Sequence, residues 1–302
     1  MPTMKKLFLF SLILFSVLDL YSQSAGNSGL SFLKIGSGAR NISLGDNGAV
    51  FANDASAIFY NPANIGGNGT PEISFTHNEW IQGVKTEMLA ARFTLFGLKM
   101  GLGLNSTRIG DIEVREKPGA ALSTFTADFY AISLGTGFKV SDKFDAGFAV
   151  KYLYEGIFYE DATGFAIDFG ARYNISDKLY VVAALRNIGA MNELKTTATK
   201  LPADLRAGGG YTFSLPENKL AFNTGLEVQK YLSTDDIHVN LGAEVLYDNL
   251  IALRLGFQTL YESKGFTTGL GIYWNKLVFD YAISPFGQNL GLGHTFSVKL
   301  GF

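Results

Sequence analysis

The chain has 302 residues, 17% of them charged and 14% aromatic, with 35 glycines, a formal net charge of −2 and no cysteine. The missing cysteines exclude a disulfide scaffold, a thiolate nucleophile and a lipidated N-terminal cysteine, and the near-neutral balance argues against a nucleic-acid partner. The charged fraction is below the roughly 25% of a soluble domain, and the mean hydropathy is only +0.15. That combination suits strands in which apolar and polar residues alternate, whereas a membrane helix needs an apolar run of about 20 residues.

Lys5 and Lys6 precede an apolar run over 7–18, followed by small residues at Ser22 and Ser24. This pattern predicts a secretory signal peptide over 1–24; the run is too short for a transmembrane anchor. Residues 25–70 interrupt any β pattern. Asp54 is placed to cap a short Ala-rich helix, and Pro62 biases Asn61 away from helical geometry, so the helix should end there. Such a segment has too little apolar surface to fold alone, and the lumen of a barrel would give it a place to pack as a plug.

From Pro71 onward about fourteen segments read as strands near the usual spanning length of 9 to 11 residues: 72–79, 86–96, 98–108, 126–140, 143–155, 163–175, 178–188, 203–213, 219–230, 236–247, 250–260, 265–274, 276–284 and 292–302. Phe165, Ile167, Phe169, Ala171, Tyr173 and Ile175 share one face, opposite Ala166, Asp168, Gly170, Arg172 and Asn174. Ile237, Val239, Leu241, Ala243, Val245 and Tyr247 oppose His238, Asn240, Gly242 and Glu244 in the same way, with Leu246 the one apolar exception. A charge turned to the bilayer midplane costs about 2 to 4 kcal/mol, so the charged face is the lumen. Connections alternate between tight turns, as at Gly97, Ser141-Asp142, Ser176-Asp177, Asp248-Asn249 and Asn275, and longer loops over 109–125, 156–162, 189–202 and 285–291. This is the asymmetry of outer-membrane barrels, with turns in the periplasm and loops outside. The expected fold is therefore all-β, a 14-stranded antiparallel transmembrane β-barrel over 71–302 with a plug over 25–70 containing a small helix. A soluble all-β protein such as tandem sandwiches would leave the loop asymmetry and the signal peptide unconnected.

In the last strand Leu292, His294, Phe296, Val298, Leu300 and Phe302 alternate with small or polar residues. A closing strand that ends on Phe resembles the signal that outer-membrane barrels present to the barrel assembly machinery; Phe296, Val298, Leu300 and Phe302 would carry it. Tyr152, Tyr154, Tyr173, Tyr211, Tyr247, Tyr273, Trp274 and Tyr281 lie near strand ends and would form interfacial belts if they cluster at both rims.

Catalysis would have to be assembled from thin material. His77, His238 and His294 fall on different strands, and neither His238 nor His294 has a second histidine or an acid at metal-ligand spacing. Gly101-Leu102-Gly103 and Gly208-Gly209-Gly210 are followed by no helix, so they do not form phosphate loops; inside strands they suit close packing of a plug. No catalytic, cofactor or metal site is expected. Arg92, Lys99, Lys151, Asp168, Arg172, Arg206, Glu227, Glu244, Arg254 and Asp280 fall on the lumen face, as either an internal salt-bridge network or a polar pathway.

Gly36-Ser37-Gly38-Ala39-Arg40, followed by Asn53-Asp54-Ala55-Ser56-Ala57-Ile58-Phe59-Tyr60-Asn61-Pro62-Ala63, resembles the PorV/PorQ family within the wider group of FadL-like transporters. Leu185-Arg186-Asn187-Ile188-Gly189 and Leu201-Pro202-Ala203-Asp204-Leu205-Arg206 also look like that family's strand-loop-strand elements. The resemblance implies a fourteen-stranded outer-membrane barrel with an N-terminal plug whose motif residues are Asn53, Asp54, Phe59, Tyr60, Asn61 and Pro62. It also implies a non-enzymatic adaptor or shuttle in type IX protein secretion, with the translocon or surface enzyme components as partners and outer-membrane lipid around the barrel. The alternative implied by the wider group is a FadL-like channel for long-chain fatty acids or another hydrophobic small molecule.

Overall fold

Strands that are apolar on one face only can sit in lipid if no edge is left open, because each unpaired backbone group in hydrocarbon costs several kcal/mol. The computed structural model, which describes residues 28–67, 69–234 and 236–302, meets this condition by closure. The predicted signal peptide lies outside the described residues. The strands are β1 (Glu72–Glu79), β2 (Lys85–Leu95), β3 (Leu98–Val114), β4 (Ser123–Ser141), β5 (Phe144–Ile157), β6 (Glu160–Asn174), β7 (Leu179–Met191), β8 (Glu193–Leu194), β9 (Thr197–Ala198), β10 (Asp204–Leu215), β11 (Leu220–Tyr231), β12 (Ile237–Tyr247), β13 (Ile251–Thr259), β14 (Phe266–Trp274), β15 (Leu277–Phe286) and β16 (Gly291–Gly301). All but β8 and β9 form one closed antiparallel barrel of 14 strands, in which β7 neighbours β10 and β16 pairs β1 from Glu72↔Gly301 to Glu79↔His294. The two short strands form a separate hairpin within the β7–β10 loop.

The faces follow the alternation. Phe165, Ile167, Phe169 and Tyr173 are exposed to the outside, whereas Ala166 and Asp168 are buried in the lumen; on β12, Leu241 faces out and His238, Asn240 and Glu244 face in. Aromatic residues gather at both ends of the wall. Tyr173, Tyr247 and Trp274 lie at the tight-turn ends, and the pairs Tyr130–Tyr154 (ring centroids 5.6 Å apart) and Tyr152–Phe165 (5.5 Å) lie near the loop ends. Tyr273 departs from the expected belt. It shares the lumen parity of its strand and accepts a hydrogen bond from Arg254 Nη2 at 3.2 Å.

Two of the long loops prove to be strand. β3 continues to Val114 and β4 starts at Ser123, so the expected loop over 109–125 shrinks to 115–122. A bulge between Ile109 and Ile112, with Asp111 at φ 53°, shifts the phase of the alternation there, which hides the strand from a period-two reading. The expected loop over 156–162 is a turn at Phe158 and Tyr159.

The segment before β1 runs through the lumen as short turns of helix: Ser31–Lys34, Ala39–Ser43, Gly48–Phe51, Ala55–Phe59 and Pro62–Gly66. Asp54 caps the predicted helix, accepting a hydrogen bond from Ser56 N at 3.0 Å, and the helix is a 3-10 turn ending at Phe59. Asn61 is extended (φ −147°, ψ 100°), as a residue before proline should be, but Pro62 then opens a second 3-10 helix from its first position.

Glycines on the wall make room for this segment. Gly137, Gly147 and Gly170 stand opposite one another on β4, β5 and β6 and face the backbone of Pro62–Gly66. Gly225, Gly242 and Gly256 stand opposite one another on β11, β12 and β13 beneath Leu44–Phe51, Gly242 and Gly256 against the backbone of Leu44 and Gly45 and Gly225 against the side chains of Val50 and Phe51. A Cβ on Gly147 would lie 2.6 Å from Ala63 N, and one on Gly242 would lie 2.6 Å from Leu44 O. The plug therefore rests backbone against backbone on two flat seats in the wall.

Gly147→Val and Gly242→Val should each weaken plug docking by about 1–3 kcal/mol, the usual penalty for overpacking. The expected readout is faster proteolysis within residues 28–67 with the compact, heat-sensitive gel band of the folded barrel retained; unchanged protection would contradict the seats. Asp54→Ala and Pro62→Ala should likewise loosen the plug while preserving the yield of assembled barrel, with the lost cap alone costing about 1 kcal/mol. Deletion of Phe302 should instead lower that yield, and an equal loss in the plug variants would refute this division of labour.

Candidate functional site: the plugged lumen

Three groups of charges hold the plug to the wall. In the first, Tyr60 Oη donates to Asp46 Oδ1 at 2.5 Å and accepts from Ser37 N at 2.6 Å. Burial and the adjacent Asp46 carboxylate push the Tyr60 phenol well above its ordinary value, so it stays protonated and keeps that donor role. The Tyr60 ring lies beside Arg186 (5.7 Å) and Arg206 (5.4 Å). Arg186 meets Asp204 through Nε at 2.9 Å and Nη2 at 2.5 Å, and donates from Nη1 to Phe59 O at 2.7 Å. Arg206 binds Glu227 at 2.8 Å and Asp46 O at 3.1 Å, while Glu227 Oε2 accepts from Ala49 N at 2.9 Å. Beside this node Lys151 pairs with Asp168 at 2.6 Å and donates to Asn187 Oδ1 at 2.7 Å.

The second group starts from Arg40. Its guanidinium grips Glu244 with Nε (3.0 Å) and Nη2 (2.9 Å) and donates from Nη1 to Phe51 O (2.8 Å) and Asn53 Oδ1 (3.3 Å). Glu244 is shared with Arg254 at 2.6 Å, and Arg254 reaches Asp280 at 2.7 Å. Burial opposes the Arg40 charge, but Glu244 outweighs it and raises the pKa well above the ordinary value. The third group sits at the seam where the barrel closes. Lys299 meets Asp54 at 3.2 Å, Glu72 pairs with Arg92 at 2.9 Å, and Arg92 donates to Asn53 O at 2.7 Å. Burial alone would raise the Asp54 carboxyl; Lys299, the Ser56 hydrogen bonds and Arg40 hold it below the usual carboxylate range.

The motif residues of the plug thus converge on one structure. Asn53, Asp54, Phe59 and Tyr60 contribute the contacts above. Asn61 donates to Ala171 O at 3.2 Å and accepts from Ala63 N at 3.1 Å, and Pro62 lies over Gly147. Phe296, Val298, Leu300 and Phe302 are not part of this arrangement. They form an outward apolar row on β16 and its end, with exposures between 37% and 64%, on the far side of the wall from the plug. The inward residues of the same strand do touch it, through Lys299 and through Ser297 Oγ, which accepts from Ala39 N at 2.8 Å. Pairings such as Arg186 with Asp204 and Arg40 with Glu244 escaped the sequence reading. Opposite charges at lumen parity on neighbouring strands could have suggested the first, since Asp204 and Arg186 are register partners.

Of the other polar residues noted in the sequence, His238 stacks on Tyr261 with centroids 3.6 Å apart, His294 Nδ1 lies 2.8 Å from Tyr281 Oη, and His77 Nδ1 lies 2.6 Å from Glu87. Among the described residues no group of three or more His, Cys, Asp or Glu could hold a metal ion.

The spaces that remain differ in chemistry. Along the lumen Leu44, Ile58, Tyr60, Asn61, Arg206, Glu227 and Arg254 are all at most 1% exposed, so polypeptide packs closely around them. A void of about 20 Å³ beside Lys151, Arg186 and Arg206 has room for about one water molecule. A polar cavity of about 450 Å³ lies at the tight-turn end, between the plug and the ends of β4–β7, β10 and β11. The apolar cavity, about 720 Å³, is a groove on the outside, bordered by Leu226, Leu241, Leu255 and Phe266. In a membrane it faces lipid.

Among solved structures, the Ralstonia pickettii toluene transporter TbuX superposes with a TM-score of 0.61 at 13% identity, covering 88% of this chain and 98% of that one. The CymD monoaromatic hydrocarbon channel gives 0.63 at 13% identity, with 88% and 98% covered. A Pseudomonas aeruginosa FadL homologue gives 0.52 at 13% identity, with 84% and 95% covered. At such identities the likeness is one of fold, the FadL-like 14-stranded barrel of the outer membrane. No curated protein matches the chain. A family model described as "Type IX secretion system membrane protein PorP/SprF" matches residues 51–300, which take in the motif residues of the plug and nearly the whole barrel. The secretion system implied by the plug motif is therefore the right one, although the matching family is not the PorV/PorQ family which that motif resembles, and this integral outer-membrane barrel belongs to the type IX secretion system membrane protein family PorP/SprF.

Proposed function

We propose that the protein is a non-enzymatic adaptor of type IX secretion, in the manner of PorV- and PorQ-like barrels, which works through its polypeptide surfaces and not by conduction through its lumen. The observation that carries this reading is the tightly packed lumen, held by three charge groups, with charged side chains lining both of the interior cavities described above. Breaking one of these buried pairs leaves an uncompensated charge, at a typical cost of 3–5 kcal/mol, so spontaneous withdrawal of the plug is disfavoured.

The loop side offers the surface an adaptor needs. β3 and β4 are the longest strands, and Leu122, Phe158 and Tyr159 are exposed at their tip and at the adjoining turn, with Phe158 edge-on to Phe125 at 5.2 Å. Exposed apolar residues gathered at a tip are a common mark of partner binding. The partners in this reading are the translocon or surface enzyme components of the secretion system, and the barrel assembly machinery during biogenesis. The competing reading, a channel for fatty acids or other hydrophobic compounds, draws on the hydrocarbon channels that share the fold. Against it, the apolar groove described above lies on the lipid side of the wall and not in the lumen.

Purified protein in planar bilayers should be electrically silent, and Arg186→Ala combined with Arg254→Ala should produce openings by releasing the plug. Steady conductance or hydrocarbon uptake by the unaltered protein would favour the channel. Affinity purification from outer membranes in mild detergent should recover secretion-system components, and Leu122→Asp with Tyr159→Asp should reduce that recovery several-fold; the barrel alone, with bound lipid or fatty acid, would count against the adaptor.

A further inference from the structure

Tight turns mark the periplasmic end of outer-membrane barrels, and the cavity of about 450 Å³ at that end has a lining that separates into groups that are used and groups that are not. Arg40 is spent on Glu244 and Phe51 O. Tyr180 Oη donates to Val50 O at 3.3 Å, Thr212 Oγ1 donates to Asn223 Oδ1 at 2.8 Å, and Asn223 Nδ2 donates to Glu244 at 2.8 Å. These side chains are fixed.

Four others keep capacity to spare. Asp145 is only 6% exposed, lines the cavity, and has no hydrogen-bond partner for Oδ1. Asn64, 4% exposed and also in the lining, donates to Ala49 O at 3.0 Å but leaves Oδ1 without a donor. On the cationic side, Lys139 and Arg172 are the register partners of Asp145 on β4 and β6. Arg172 is held in place by stacking on the Tyr180 ring at 3.6 Å and by Nε donation to Asn174 Oδ1 at 3.0 Å. Neither cation forms an ion pair among the described residues. A buried acceptor left unmatched costs free energy, so a partner that supplies a donor is favoured at Asp145 and Asn64; half-buried Arg172 and exposed Lys139 offer positive charge to an acceptor on the same partner. A simple anion would meet the Asp145 carboxylate, and a simple cation would meet Arg172 and Lys139. Val50, Phe51 and Ala63 add apolar surface to the lining.

We propose that this periplasm-facing cavity is a binding site for a short peptide segment presenting a carboxylate to Arg172 and Lys139 and an ammonium or guanidinium group to Asp145 and Asn64. It lies at the opposite end of the lumen from the loop tips and does not depend on the adaptor reading. Such a segment reaches the site either as a free peptide, charged at its termini, or as an internal stretch of a periplasmic polypeptide, charged on its side chains.

Calorimetric titration of the detergent-solubilised full chain separates these sources with three probes: Gly-Gly-Gly, acetyl-Lys-Gly-Glu-amide and the uncharged acetyl-Gly-Gly-Gly-amide. Saturable binding of the first probe identifies the terminal source and of the second the internal one; the third should not bind. Asp145→Asn and Arg172→Gln should each weaken the binding about tenfold or more, as loss of a charge-assisted hydrogen bond predicts. The less buried Lys139→Gln, which leaves the wall packing intact, should weaken it to a smaller extent. Retention of the heat-sensitive gel band confirms that each variant is folded. Absence of saturable binding by both charged probes would overturn the proposal, as would equal binding of the uncharged probe or unchanged affinity in all three variants.

Discussion

The barrel depends on backbone meeting backbone across its lumen. A segment made of helical turns of at most five residues has little surface of its own to bury, and isolated helices of that length are unstable in water. It persists because the wall presents bare glycine where the segment's carbonyls and amides arrive: Gly147 under Pro62 and Ala63, Gly242 and Gly256 under Leu44 and Gly45. Side chains on those glycines would hold the plug away from the wall, and the ion pairs that anchor it would be stretched apart. Closure of the barrel satisfies the wall, while the glycine seats let the wall satisfy the plug.

Charge is the second layer. Arg40, Asp46 and Asp54 belong to the plug, and each finds its counterpart on a strand: Glu244 on β12, Arg206 on β10, Lys299 on β16. Ionised groups buried this deeply are stable only in mutual company, so each half of the molecule presents charges that the other must neutralise. That reciprocity distinguishes this lumen from an open pore, in which water would hydrate the same groups. The two ends differ in chemistry, with a polar vestibule on the turn side and apolar tips on the loop side.

Alternation made the wall legible. A strand with one face in lipid must repeat with period two, so the fourteen spans, their inward charges and the two rims could be read from the order of residues. The places where reading stopped have physical causes. At Gly110 and Asp111 a bulge moves the phase, and the upper parts of β3 and β4 looked like a loop. Tyr273 looked like a belt residue because an aromatic near a strand end fits either face; its parity places it with Arg254 in the lumen. Within the plug, Asp54 and Pro62 carried local signals and were placed correctly, whereas the turns at Ala39–Ser43 and Gly48–Phe51 form no side-chain cap, although Asn47 stands at the N-cap of the second. The contacts of Arg40, Tyr60 and Arg186 join residues from 11 to 204 positions apart, beyond what local pattern can report.

The glycine seats have a consequence for folding fidelity. Successive residues of a strand point to opposite faces, so a slip of one residue exchanges the two faces of that strand. If β12 slipped in this way, Gly242 would turn to the lipid and a leucine or alanine beside it would point at Leu44 and Phe51. The barrel could still close, since any hydrogen-bonded ladder satisfies the backbone, but the plug could no longer lie down. The plug therefore acts as a gauge of register: only a wall in which the glycine-bearing strands have the correct alignment can be filled.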